Sequence, residues 1–208
     1  MNPMLIDLTH TFTDNMPVYP GDACSRLYES SFIKDGGVSD HRIESGMHVG
    51  THMDAPLHMV EGGAMIADIP LRHFTGMGHL VDARGKNSIT ADLLESYAIN
   101  KGDIVLVWTE WSRKYHEPDY FDGHPEIAED FAHRLVALGV FLIGMDTPSP
   151  DREPFPIHKI LLAKDVLIIE NLVNLAALEP YNTFRIHAYP IKYKAGGAPV
   201  RVVAEINT

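Results

Sequence analysis

The stretch Gly46–His58, GMHVGTHMDAPLH, concentrates groups that can hold a cation and move a proton. His48, His52, Asp54 and His58 all occupy even positions. In an extended chain such positions share one face. On a helix, Asp54 would point about 200° away from His52, and Gly46, Gly50 and Pro56 oppose a regular helix in any case. The segment is therefore predicted to be extended or looped. Ligands of one ion must bring their donor atoms to about 2.0–2.2 Å from it. A straight strand would spread His48 and Asp54 about 20 Å apart at roughly 3.3 Å per residue. The chain must curl, and Gly46 and Gly50 supply permissive backbone. Three imidazoles and a carboxylate on one face, with no Lys or Arg between them, are costly to bury without a shared partner. A bent metal-binding loop is the expectation.

A second carboxylate closes the apolar run Val166–Ile169. If Glu170 ends a buried strand, it must be paired, protonated or metal-bound; the other reading is a surface Glu at a strand end. His158 lies twelve residues upstream, at the start of the short apolar segment IHKILLA. A helix followed by a return strand would bring the two together.

These residues sit in a chain of 208 residues with a formal net charge of −11, one cysteine and twelve histidines. The length fits one domain, expected to span residues 1–208. The acidic balance argues against nucleic acid or an anionic membrane as partner. Lone Cys24 excludes an internal disulfide and a cysteine-rich zinc site. Met1–Thr13 lacks the basic start and apolar core of a signal peptide, and no apolar run approaches the roughly 18–20 residues of a membrane span. A soluble cytoplasmic protein is expected.

Short apolar runs bounded by Gly, Asp or Pro predict strands at Gly78–Ala83, Asp103–Thr109, Val140–Met145 and Asp165–Ile169, of the kind buried on both faces. Phe184–Ile191 and Pro199–Ile206 alternate and are predicted to pair across Ala195-Gly196-Gly197. Helices are predicted at Thr90–Ala98 with Thr90 as N-cap, at Pro125–Leu138 with Ile127, Phe131, Leu135 and Leu138 on one stripe, and at Ile157–Ala163. Lys114–His124 is predicted to be a surface loop or lid. The order implies one α/β domain with a mixed sheet.

The run His48-Val49-Gly50-Thr51-His52-Met53-Asp54-Ala55-Pro56-Leu57-His58 resembles the H-x-G-T-H-x-D-A-P-x-H signature of the cyclase family of metal-dependent hydrolases. Asp7-Leu8-Thr9 with Met16–Asp22 is similar to the N-terminal region of that family. Ile143–Ser149 is similar to its G-x-D-T-x-S stretch, and His158 with Glu170-Asn171-Leu172 to its second ligand region. The resemblance implies a swivelling β/β/α fold with a barrel-like core, usually as a homodimer. It implies His48, His52, Asp54, His158 and Glu170 as ligands of one or two divalent ions, with Asp54 and Glu170 bridging. It implies His58 as the catalytic proton carrier and Tyr19 as a substrate contact. Formamidases of the family carry Trp where this chain has Tyr19, which presents less ring area and a hydroxyl tip.

The implied chemistry is hydrolysis of an amide C–N bond, N-formyl-L-kynurenine to L-kynurenine and formate in tryptophan catabolism. An isatin-like cyclic amide or a lactone is the alternative substrate. Imidazole and carboxylate ligands suit Zn²⁺, and the carboxylates also admit Mn²⁺. Trp111 and Phe155 are candidates to line an aryl pocket. Asp146 is expected to orient a ligand histidine, with Ser149 bonding nearby. A non-catalytic metal-binding protein would use the same ligands but has no need of a nonligating His58. No G-x-S-x-G elbow, H-E-x-x-H helix or phosphate loop competes with this reading.

Overall fold

The computed structural model describes residues 3–206. Along it run β1 (Met4–Asp7), β2 (Arg26–Ser31), the single turn α1 (Ile33–Gly36), β3 (Asp40–Glu44), β4 (His52–Asp54) and β5 (Thr75–Asp82). Then come β6 (Ser88–Ile89), β7 (Ile104–Trp108), β8 (Glu126–Ile127), α2 (Glu129–Leu138) and β9 (Leu142–Met145). The chain ends with α3 (Pro156–Leu162), β10 (Leu167–Glu170), β11 (Phe184–Pro190) and β12 (Gly197–Ile206).

Ile104–Trp108 is apolar at every position and every one is buried. Alternation divides this strand between two cores. Ile104, Leu106 and Trp108 join Leu142, Leu167, Ile169, Met53, Ile186 and Val202 in one cluster. Val105 and Val107 join Ile143, Met145 and Ile168 in another, with Phe131 and Leu135 of α2 and Leu161 of α3. The first cluster draws on strands all round the sheet and fills its interior; the second lies between the sheet and the helices. Each such apolar side chain contributes roughly 1.5–3 kcal/mol by leaving water.

The sheet runs β12-β11-β5-β7-β9-β10-β4, and β4 pairs back onto β12, which closes a mixed barrel of seven strands with β1 outside on β12. β5, β7, β9 and β10 are mutually parallel. The remaining pairings are antiparallel, including the expected one between β11 and β12. The barrel-like α/β core implied by the resemblance is therefore present. β2 and β3 form a separate, largely exposed hairpin.

Several expectations need correction. β5 begins three residues before Gly78, because Thr75–Met77 pair with Arg185–His187. The helix predicted at Thr90–Ala98 is one 3₁₀ turn, Ala91–Leu94. The Thr90 hydroxyl bonds the Asp92 side chain rather than the backbone, so it caps nothing. The helix predicted from Pro125 starts at Glu129, because Glu126–Ile127 pair with Ser88–Ile89. Lys114–His124 is the surface loop expected, largely exposed, but it is pinned to the body: Tyr120 is fully buried and Tyr115 nearly so, packed with Met16 and Val49.

Candidate metal centre

β4 is three residues long and flanked on both sides. His52 stands opposite Glu170 of β10, and Asp54 opposite Gly197 of β12. Directly opposed residues of an antiparallel pair share a face, and period two puts Asp54 on the same face as His52. Met53 points into the barrel, so His52, Asp54 and Glu170 point outward, toward α3. Pro156 opens α3, and His158 lies in its first turn, buried. All four side chains are almost wholly excluded from solvent.

The curl predicted between His48 and His52 is present, but only Gly50 takes a positive φ, at 64°. A Cβ there would lie 2.9 Å from Met16 Cε. After the turn, His48 Nδ1 meets Asp54 Oδ1 at 2.7 Å. His48 reaches that position by lying against the start of β12, where a Cβ on Gly197 would come within 2.5 Å of His48 Cε1. His58 ends the 3₁₀ turn Pro56–His58. Its ring stacks on His48 with centroids 4.0 Å apart and stands 5.8 Å from the His158 ring. The structure thus brings His48, His52, Asp54, His58, His158 and Glu170 together. His41, on exposed β3, lies outside the cluster.

The spacing within the cluster fits a divalent cation. Two ligand atoms each about 2.1 Å from one ion, at a tetrahedral angle, lie about 3.4 Å apart. His52 Nε2 is 3.3 Å from Glu170 Oε2 and 3.5 Å from Asp54 Oδ1. His158 Nε2 is 3.3 Å from Glu170 Oε1 and 3.7 Å from Asp54 Oδ2. Buried His52 Nε2 and Asp54 Oδ2 have no hydrogen-bond partner among the described residues. His52, Asp54 and Glu170 converge as one donor group, and His48, Asp54 and His58 as a second, meeting at Asp54.

Burial and the neighbouring charges oppose one another throughout this centre. Burial alone would lower the His52 pKa, but Asp54 and Glu170 override it and hold it up at about 9. Burial likewise opposes charge on His158, and Asp151, Asp54 and Glu170 raise it well above the ordinary imidazole value. Burial would raise Asp54, while His52, His158 and His48 hold it well below the usual carboxylate range. His58 differs: burial lowers its pKa, only partly offset by Asp54, and favours the neutral ring.

Asp151 was missed in the sequence. Its Oδ1 takes the Nδ1–H of His158 at 2.6 Å, and its Oδ2 accepts the Ile157 N–H at 2.6 Å. It therefore caps α3 and orients the His158 ring. The expectation that Asp146 does this is wrong. Asp146 Oδ1 accepts from the Thr109 amide and hydroxyl, at 2.9 and 2.6 Å. Ser149 does bond nearby, donating to the Asp151 carbonyl at 2.7 Å. Asn171, the residue after Glu170, is itself held in place: its Oδ1 accepts the Tyr120 hydroxyl at 2.7 Å and its carbonyl the Thr51 hydroxyl at 2.6 Å.

A cavity of about 320 Å³ opens onto His48, His52, His58, His158 and Glu170. Tyr19, Phe121 and Phe155 supply its aromatic wall. Tyr19 packs edge-on against Phe121, centroids 5.9 Å apart. Trp111 is not on this wall; its indole N–H donates to the Tyr120 carbonyl at 2.8 Å and its ring packs in the small cluster around Tyr120. Phe121 takes the place expected of it, and only the aromatic density of Lys114–His124 signalled that.

Fold and donor set define a closed mixed barrel whose outer wall carries a buried imidazole–carboxylate cluster able to hold a metal ion, open to a cavity. Residues 6–152 match the family described as "Putative cyclase", and the chain belongs to that Cyclase family. A kynurenine formamidase of Erythrobacter litoralis is 33% identical over 197 residues, 92% of this chain and 88% of that one. A predicted metal-dependent hydrolase from Bacillus stearothermophilus superposes with a TM-score of 0.81 at 32% identity, covering 100% of both chains. Isatin hydrolase A from Labrenzia aggregata superposes with a TM-score of 0.88 at 25% identity, covering 99% of this chain and 94% of that one.

Proposed function

We propose that the chain is a metal-dependent amidohydrolase that cleaves an aryl formamide, N-formyl-L-kynurenine to L-kynurenine and formate. One observation carries the reading: a buried His/Asp/Glu donor set lies at the floor of an aromatic-walled cavity, with His58 beside it. The relatives named kynurenine formamidase favour the same substrate. His48, His52, Asp54, His158 and Glu170 are the proposed ligands, with one or two Zn²⁺ as the expected ions and Mn²⁺ admissible. A cation held there would polarise the scissile carbonyl and make water more acidic.

The protein's own residues do the rest. Tyr19, Phe121 and Phe155 seat the aryl ring by apolar contact. Neutral His58 accepts a proton from the attacking water at a ring nitrogen. It returns that proton to the departing aryl nitrogen as the C–N bond breaks. Asp151 holds His158 in one tautomer and orientation. The whole of 1–208 acts as one catalytic domain in this reading. A cytoplasmic homodimer belongs to it too, the exposed Tyr28, Val38 and Ile43 offering apolar surface for a second copy. Among the described residues, no helix is long and apolar enough to cross a membrane.

The likeness to isatin hydrolase favours a second substrate, a cyclic aryl amide, opened by the same residues. The test is hydrolysis of N-formyl-L-kynurenine, isatin and simple lactones after loading with Zn²⁺ or Mn²⁺. Chelator-sensitive release of formate is expected. No release from any N-formyl arylamine would overturn the formamidase reading, and ring opening of isatin alone would favour the second.

A further inference from the structure

We propose that Asp22 selects the charge carried by the far end of the substrate: the cavity favours an aryl amide with a cationic tail and disfavours one with a lone carboxylate. This rests on the amidohydrolase reading above and deepens it. Among the described residues lining the cavity there is no lysine or arginine. The floor carries the buried donor set, so any net positive charge is confined there. On the outer wall Pro17, Tyr19, Met59, Phe121 and Phe155 are uncharged, and Asp22 is the one charged side chain.

Its position is fixed locally. The Asp22 N–H donates to the Tyr19 carbonyl at 3.0 Å, closing a turn through Pro20 and Gly21, whose φ is 100°. The turn ties the carboxylate to the residue whose ring packs against Phe121. Among the described residues, the Asp22 side chain enters none of the hydrogen bonds or ion pairs that occupy the other carboxylates of the surface. It is exposed, charged and free to take a partner.

A substrate with its amide at the floor and its ring between Tyr19, Phe121 and Phe155 must send any ring substituent toward this outer wall. An ammonium there meets a carboxylate; a carboxylate there meets a like charge and no compensating cation. The chain's net charge of −11 adds a field of the same sign. For a zwitterionic amino-acid tail, the ammonium faces Asp22 and the carboxylate stays in water.

The experiment compares three formamides that share one aryl ketone: N-formylkynuramine with an ammonium tail, its N-acetyl derivative with a neutral tail, and the deaminated acid with a carboxylate tail. Metal-loaded wild type and Asp22→Asn are assayed at low and high salt. Wild type is expected to favour the ammonium tail over the carboxylate tail about tenfold in kcat/KM, each exposed charge pair contributing a few-fold. Asp22→Asn should bring the two within about twofold, through KM. High salt should shrink the preference in wild type. An unchanged preference in Asp22→Asn, or an equal loss on the neutral substrate, overturns the proposal. If wild type hydrolyses none of the three, the formamidase reading fails instead. Charge selection is then read from thermal shifts of the metal-loaded protein with kynuramine and the deaminated acid. Stabilisation by kynuramine that Asp22→Asn abolishes supports selection; equal shifts in both proteins overturn it.

Discussion

The Nδ1 of His158 lies 2.6 Å from Oδ1 of Asp151, and the other oxygen of the same carboxylate caps the helix on which His158 sits. One side chain thus sets both the helix start and the ring orientation. Asp151→Ala should lower metal affinity about 10–100-fold and cost about 1–3 kcal/mol of stability through the lost cap and charge-assisted bond. Chelator competition and urea unfolding measure the two effects. Metal affinity equal to wild type would remove the orienting role.

His58 stacks on His48, and a ring nitrogen of His58 belongs to one of the two donor groups. In the proposed role of proton carrier, His58 can be replaced without emptying the site. His58→Ala should retain the wild-type metal content and lose about 10²–10⁴ in kcat. Elemental analysis beside steady-state rates separates the outcomes. Loss of metal in parallel with rate would recast His58 as a ligand.

Gly50 turns the chain between the two histidines with φ 64°. Gly50→Ala forces a side chain into that region and against Met16. A loss of about 1–3 kcal/mol is expected from the strained backbone, with the Met16 end displaced, together with weaker metal binding where the altered turn shifts His48 relative to His52. Thermal unfolding with and without metal checks both.

Burial pushes the Asp146 carboxyl up to about 6, against the opposing pull of Thr109. The folded chain therefore keeps a proton that the unfolded chain releases near pH 4. This group's contribution to stability falls as pH rises from about 4 to 6 and is level above that. Asp146→Asn removes the titration while keeping an acceptor for Thr109. The stability of the variant relative to wild type should improve by about 3 kcal/mol between pH 4 and pH 7. A difference between the two proteins that does not change with pH would show that Asp146 is ionised throughout.

The parity of His48, His52 and Asp54 was readable because those residues are close in sequence and the backbone must bend at Gly50. Glu170 was readable as a carboxylate ending an apolar run, and so was its approach to His158 through a helix and return strand; its place opposite His52 was not. Only the register that sets Glu170 opposite His52 decides between a buried carboxylate and a surface one. Asp151 stayed hidden because Asp146 ends a buried strand nearby, and sequence cannot tell which carboxylate the loop turns toward α3. The strong apolar strands β7, β9 and β10 were legible from composition. β4 was not: it is three residues long, and its existence depends on two neighbours more than a hundred residues away. At Thr90 the hydroxyl bonds the Asp92 side chain in place of the backbone, and the helix expected there is a single 3₁₀ turn.

β4 is also the strand that closes the barrel, between residues near 168 and residues near 197. Contacts this distant in sequence are slow to form, because the intervening loops must be ordered before any pairing is gained. His52 and Asp54 therefore take their places only as the ring of strands is completed. A nascent or partly folded chain has no assembled centre with which to capture an ion or expose a reactive group. Activity becomes a report on closure, and any variant that lets β4 slip should lose its cation before it loses its secondary structure.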